Sequence, residues 1–265
     1  MHPDITLLRV APVLLAVLLS AALTGSPLTA QDEDGRAWEL KTEAGASVFF
    51  GASSQSALLF RSEYGYATDR WETSFKAGFD YGETEDADGV AFVSSRSWTT
   101  EAEVDYQAGR WQPFVFATAD GSLQRQIDLR ISSGAGVGYE IIEETDEASF
   151  DASLAALVER TDPRVQPGEP ADVTTLGRWS ARLRGTRKLS EGRIELSFES
   201  FFKPSFEEFS DDYLISFTGG ASFQLTEGVS LGVTFLDLYD SLAESRGARS
   251  NNDGRLFFSI ITTLD

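Results

Sequence analysis

Two carboxylates, Glu101 and Glu103, stand two residues apart in Trp98-Thr-Thr-Glu-Ala-Glu-Val-Asp-Tyr106, and three guanidinium groups, Arg178, Arg182 and Arg184, share even positions further on. Glycoside hydrolysis uses paired carboxylates, one as proton donor and one as base or nucleophile. Nothing in the sequence marks either glutamate as the donor, so no catalytic residue is assigned. A Ser-His-Asp site needs an imidazole to take the nucleophile's proton, and the one histidine is His2, ahead of the first apolar run. A His/Cys zinc site lacks its ligands for the same reason, because the chain has no cysteine. No metal and no cofactor is expected, and the chain is read as a non-enzyme.

The spacing has a simpler origin. From Trp98 to Tyr106 every even position is apolar or small, and Thr99, Glu101, Glu103 and Asp105 fall between them. A period of two is a strand with one oily and one wet face. Soluble strands average five or six residues, whereas this alternation starts near Phe92 and continues to Tyr106. A tilted strand crossing a bilayer needs about 9–11 residues inside it.

The pattern recurs along the chain, giving about twelve strands. Trp38 to Phe50 alternates with Glu39, Lys41 and Glu43, and Ser56 to Tyr66 follows. Trp71 to Tyr81 sets Glu72, Lys76 and Asp80 on its polar face. Ile127 to Ile141 sets Asp128, Arg130 and a bare column of Gly134, Gly136 and Gly138 against an apolar row headed by Ile127. That column is expected to make room for a bulky neighbour. Phe150 to Val158, Trp179 to Leu183 opposite the arginine row, Ile194 to Phe202 opposite Glu195, Glu199 and Lys203, and Tyr213 to Leu225 continue the series. Val229 to Phe235 and Leu256 to Leu264 close it. The strand from Trp111 to Ala119 is left without a facing, because Pro113, Phe114 and Phe116 give it no polar side.

The fold class is therefore an all-β, closed antiparallel transmembrane β-barrel. Links after even strands are short and most of those after odd strands longer, often acidic or Pro-rich, which is the asymmetry of short periplasmic turns and longer extracellular loops. Residues 1–30 read as a secretory signal peptide, an apolar run after Arg9 ending in Leu28-Thr-Ala30, and residues 31–265 as the barrel. The expected location is the outer membrane of a Gram-negative-type bacterium, with outer-membrane lipid as partner.

Two faces follow. The uncharged rows carry no Asp, Glu, Lys or Arg at mid-strand, with Arg96 and Asp237 near their outer ends. Trp38, Tyr66, Trp71, Tyr106, Trp111 and Tyr139 at the inner ends, Tyr81 and Tyr213 at the outer, and Trp98 form the membrane-interface aromatics. The polar face is a lumen wall of Lys76, Asp80, Glu101, Glu103, Asp105, Asp128, Arg130, Arg178, Arg182, Arg184, Glu195 and Glu199. It reads as the selectivity wall of a narrow pore or as a salt-bridged plug, with Arg182 and Arg184 facing Glu195 and Glu199 across strands. The other reading of the apolar rows is the core of a soluble periplasmic β-barrel or sandwich that binds an apolar ligand.

A formal net charge of −20 opposes contact with phosphate backbones, so no nucleic acid is expected. Divalent cations have a place to bind at the acidic loops, Glu83, Glu85, Asp86, Asp88, Glu207, Glu208, Asp211 and Asp212, against plain solvation. The oligomeric state is left open.

At Ile127-Asp-Leu-Arg-Ile-Ser-Ser-Gly-Ala-Gly-Val-Gly-Tyr139 the chain resembles the salt-induced outer-membrane protein family (YdiY-like, domain of unknown function 481), through D-L-R followed by a G-A-G-x-G-Y strand. The hairpins from Trp38 to Ile142 are similar in spacing. The resemblance implies an outer-membrane β-barrel and a tie to salt or envelope stress, and brings no catalytic or ligand residues. One departure is the end, Thr263-Leu264-Asp265, where many such barrels finish on an aromatic.

Overall fold

In a computed structural model, which describes residues 37–49, 55–85, 90–143, 145, 147–165 and 172–264, long alternating segments become long strands. They are β1 (Ala37–Phe49), β2 (Gln55–Ala67), β3 (Trp71–Glu85), β4 (Ala91–Tyr106), β5 (Trp111–Ser122) and β6 (Ile127–Ile142). β7 (Ala148–Pro163), β8 (Thr174–Leu189), β9 (Ile194–Pro204), β10 (Tyr213–Thr226), β11 (Val229–Asp240) and β12 (Asn252–Leu264) complete a closed antiparallel barrel in which each strand pairs with its sequence neighbours. The expected signal peptide, Phe50, Asp86 and Asp88 lie outside the described residues.

Closure removes every free sheet edge, so each strand's backbone groups find partners without water. The ring is sealed by β1 against β12, from Leu40↔Leu264 to Ala46↔Phe258, a shorter ladder than β1 makes with β2, which runs from Ala37↔Ala67 to Phe49↔Gln55. The links after even strands are 68–70, 107–110, 143–147, 190–193 and 227–228, while 164–173, 205–212 and 241–251 follow odd ones. Gly109 and Gly228 adopt left-handed φ of 66° and 76° in two of the tight turns, a conformation glycine enters without strain. The start of β1, the end of β12 and the tight turns lie at one rim, taken as periplasmic; the β9–β10 and β11–β12 links lie at the other, outer rim.

The uncharged rows point away from the lumen. Phe258 is 61% exposed and Leu154 54%, both far from strand ends. Phe75, Val115, Val158, Leu183 and Leu231 continue a belt round the cylinder. A band of that extent cannot face water and is covered by acyl chains. This overturns the soluble alternative, whose apolar core would have to lie inside; the interior is instead lined by polar and charged groups such as Glu103, Arg130, Ser132, Arg178 and Arg182. Outward charges Arg96, Arg160, Arg187 and Asp237 keep near strand ends.

Aromatic pairs mark the inner rim. Trp38 pairs with Tyr66, Trp71 with Tyr106 and Trp111 with Tyr139; the rings of the last two pairs are 4.9 and 4.8 Å apart. At the outer rim Tyr213 stacks on Tyr239 at 5.6 Å, and the Tyr81 hydroxyl donates to Glu83 at 2.7 Å. Trp98 sits midway along β4 and lies over Gly121 of β5, where an added Cβ would come within 2.5 Å of the indole nitrogen.

Two local findings depart from the alternation. A register shift between Ile127 and Leu129 turns Ile127 inward, fully buried, and leaves Asp128 exposed at the outer rim, where Arg164 pairs with it at 2.8 Å. Asp128 is thus not part of the lumen wall, and Ile127 is not part of the lipid row. In β5, Phe114 and Phe116 face the lumen while Trp111 and Val115 face lipid. Gly136 explains how: a Cβ there would meet Phe114 at 2.7 Å and Ala155 at 2.6 Å. The glycine column gives the aromatic ring a flat bed.

Candidate functional site: a plugged lumen above an acidic chamber

The inward side chains divide the lumen in two. At mid-height Arg182 of β8 reaches across to Glu103 of β4, four strands away round a ring of twelve, and donates to both carboxylate oxygens at 3.0 and 3.2 Å. Phe114 and Phe201 flank its guanidinium, at 5.3 and 6.0 Å from their ring centres. Both bonds come from Nη1, and a charge-assisted pair set between aromatic rings is a strong arrangement for arginine. Its side chain is 6% exposed and that of Glu103 9%, so solvent does little to screen the pair.

Nearer the outer rim a second tie crosses the barrel. Arg130 of β6 meets Asp240 of β11 at 3.0 Å, Glu159 at 3.8 Å and the Thr161 hydroxyl at 3.3 Å. Arg178 of β8 takes Glu159 at 3.0 Å and Asp212, in the β9–β10 link, at 2.8 Å. The β11–β12 link then folds back over the mouth. Arg246 pairs with Asp240 and donates to the Arg125 carbonyl at 3.3 Å on the far side, and Ala243 is fully buried beneath. A third group, Arg255 of β12 with Asp80 at 3.4 Å and Asp253, fills the remaining sector, where Ser97 donates to Asp80 at 2.8 Å.

Beside and below the Arg182–Glu103 tie the lumen is hollow. A cavity of about 730 Å³ reaches the short-turn rim and is lined by eight carboxylates and four cationic groups. Lys76 lies 3.6 Å from both Glu63 and Glu101, Lys41 is 3.7 Å from Glu195, and Arg184 meets Asp151 at 3.0 Å. Arg61 approaches Glu43 at 3.8 Å, and Glu43 also accepts from Thr234 and Ser259, at 2.9 and 2.7 Å. Glu72, Glu140 and Glu199 complete the carboxylates.

The charges read from the sequence separate accordingly. Arg130, Arg178, Arg182, Glu103 and Asp80 belong to the plug; Lys76, Glu101, Arg184, Glu195 and Glu199 belong to the chamber. Asp105 stands opposite Glu72 near the inner rim. Arg182 does not pair with Glu195 or Glu199 but crosses the lumen; Arg184 stands opposite Glu199 and bridges to Asp151 instead. Glu159, Asp240, Arg246 and Arg255 are plug residues that the sequence does not single out, and Asp212, expected as a residue of an acidic outer loop, is held by Arg178 in the plug. Glu159 sits on the polar parity of its strand, so alternation was a sufficient signal for it. Asp240 and Arg246 carried none, because the chain there reads as a polar loop. Among the described residues no group of three or more His, Cys, Asp or Glu side chains is arranged to hold a metal ion.

The model of a family described only as a protein of unknown function, DUF481, matches residues 42–263. The chain belongs to the DUF481 family. The segment 127–139, where the resemblance was read, falls inside the match. No curated protein matches the chain. Among solved structures, the NanC porin is similar at 8% identity and a TM-score of 0.48, covering 85% of this chain and 98% of its own. An outer membrane channel from Pseudomonas putida F1 is similar at 11% identity and a TM-score of 0.46, covering 88% and 98%. The beta domain of the Bordetella autotransporter BrkA follows at 12% and 0.42, covering 88% and 100%. Likenesses this distant carry no function to a DUF481 chain. The barrel and its lipid-facing belt make this member an outer-membrane protein on their own account.

Proposed function

We propose that this DUF481 member is a non-enzymatic outer-membrane barrel, a narrow pore held shut in its outer half and hollow in its inner half. The observation that carries the reading is the pair of buried cross-lumen ties, Arg182–Glu103 and Arg130–Asp240, which join strands four and five places apart round the ring. A barrel of twelve strands lies between small barrels filled by side chains and open porins, and these ties supply the filling. Support for a pore over a purely structural barrel comes from the chamber, which a structural role does not need. A tie to salt or envelope stress is the finer part of the proposal. Its support is electrostatic: the half-exposed pairs of the chamber respond to ions over a Debye length of about 8 Å at physiological strength, while the plug is shielded.

Planar-bilayer recording tests it. The wild type should show no conductance steps. A variant with Glu103→Ala, Arg182→Ala, Arg130→Ala and Asp240→Ala removes both partners of each tie and should show them, once heat-dependent gel migration has verified its fold. Large steps from the wild type would overturn the closed state, and a folded but silent variant would overturn the location of the plug.

A further inference from the structure

The chamber has a direction and a sign. Its lining reaches the short-turn rim through Gln112, Glu140 and Ser149 and extends up β4 as far as Thr99. Each of its four cations already holds a carboxylate within 4.0 Å: Arg61, Lys76 and Arg184 on a neighbouring strand, and Lys41 of β1 across the chamber on Glu195 of β9. An entering anion would have to displace one of those carboxylates; an entering cation meets a wall on which carboxylates outnumber cations by eight to four. A cleft lined by one sign of charge, with low-dielectric walls, focuses its field on the ions that enter.

We infer that the inner chamber is a cation-collecting antechamber, so that small cations are the class of solute this barrel admits from its periplasmic end. The inference rests on the narrow-pore reading for its orientation but not for its measurement. Cation preference is a property of the hollow half and needs no open plug. The field acts on the rate at which a charged reagent arrives, falls with added salt, and weakens when carboxylates are neutralised.

The chain has no cysteine, so one introduced thiol reports without background. Thr218 and Ser222 line the chamber and take part in no ion pair, which makes Thr218→Cys and Ser222→Cys suitable reporters. The intact barrel, in a zwitterionic detergent, is labelled with cationic ethyltrimethylammonium or anionic ethylsulfonate methanethiosulfonate, each rate divided by that with a free thiol. The cationic reagent should be favoured by about ten-fold at low salt, and the ratio should approach one in 1 M salt, where the Debye length is about 3 Å. Adding Glu195→Gln and Glu199→Gln to Thr218→Cys should lower the ratio at low salt. A low-salt ratio of one or below, a ratio unmoved by the two neutralisations, or a thiol that neither reagent reaches would each overturn the inference. Failure of the plug reading would appear separately, as conductance from the wild type.

Discussion

The two halves of the lumen are built from the same residue types and behave as opposite materials. In the outer half arginines and carboxylates are nearly dry, at 3–9% side-chain exposure for Arg178, Glu159, Arg182 and Glu103; Arg178 and Glu159 join neighbouring strands, and Arg182 and Glu103 cross the lumen. In the inner half Lys76 and its partner Glu63 are 29% and 49% exposed and sit on neighbouring strands. Burial, more than charge, decides what an ion pair does. A dry pair whose partner is deleted leaves an uncompensated charge, whereas a wet one is re-solvated.

The comparison breaks most sharply at the plug. Glu103→Ala strands the Arg182 guanidinium, whose Nε already has no partner, and should destabilise the barrel by about 3–5 kcal/mol in a urea unfolding titration. Restoring neutrality with Arg182→Met in the same chain should recover most of that loss, since replacing both members of a buried pair by apolar volume is often neutral. If the double variant is no better than the single, the tie is not a coupled pair. A smaller effect tests the bed on which the plug's aromatic lies. Gly136→Ala puts a methyl 2.7 Å from both the Leu154 carbonyl and the Phe114 ring, and should cost about 1–3 kcal/mol in the same titration. The smallest belongs to the chamber. Lys76→Met should change stability by less than about 1 kcal/mol, with the difference fading as salt is raised. A loss as large as that of Glu103→Ala would erase the distinction between the halves.

Most of the barrel was legible because a closed sheet in a bilayer obeys a single parity. One oily row per strand, kept free of charge at mid-height, fixes which face looks out, and loop lengths fix which way up it stands. Parity failed where both faces were uncharged, as at Phe114 and Phe116, and where a bulge reset it, as between Ile127 and Asp128. The candidate site was legible as composition and not as connection. Arg182 was recognisable as a lumen residue from its position beside Trp179, Ala181 and Leu183. That it reaches Glu103 rather than the adjacent strand depends on the barrel's curvature and width, which no local pattern encodes. Asp240 ends β11, and Arg246 acts from the following link, whose fold-back across the mouth brings it to the Arg125 carbonyl, far away in the chain.

The seam between β1 and β12 joins Leu40 to Leu264 and Ala46 to Phe258, the most distant ladder partners in the sequence. Contacts of such long range carry the greatest loop-closure entropy and belong late in assembly. The bonds from Thr234 and Ser259 to Glu43 span this junction, so they become available only when the first and last strands meet. Until then the Glu43 carboxylate stands on an open edge, and the molecule's final act of folding is to hide it.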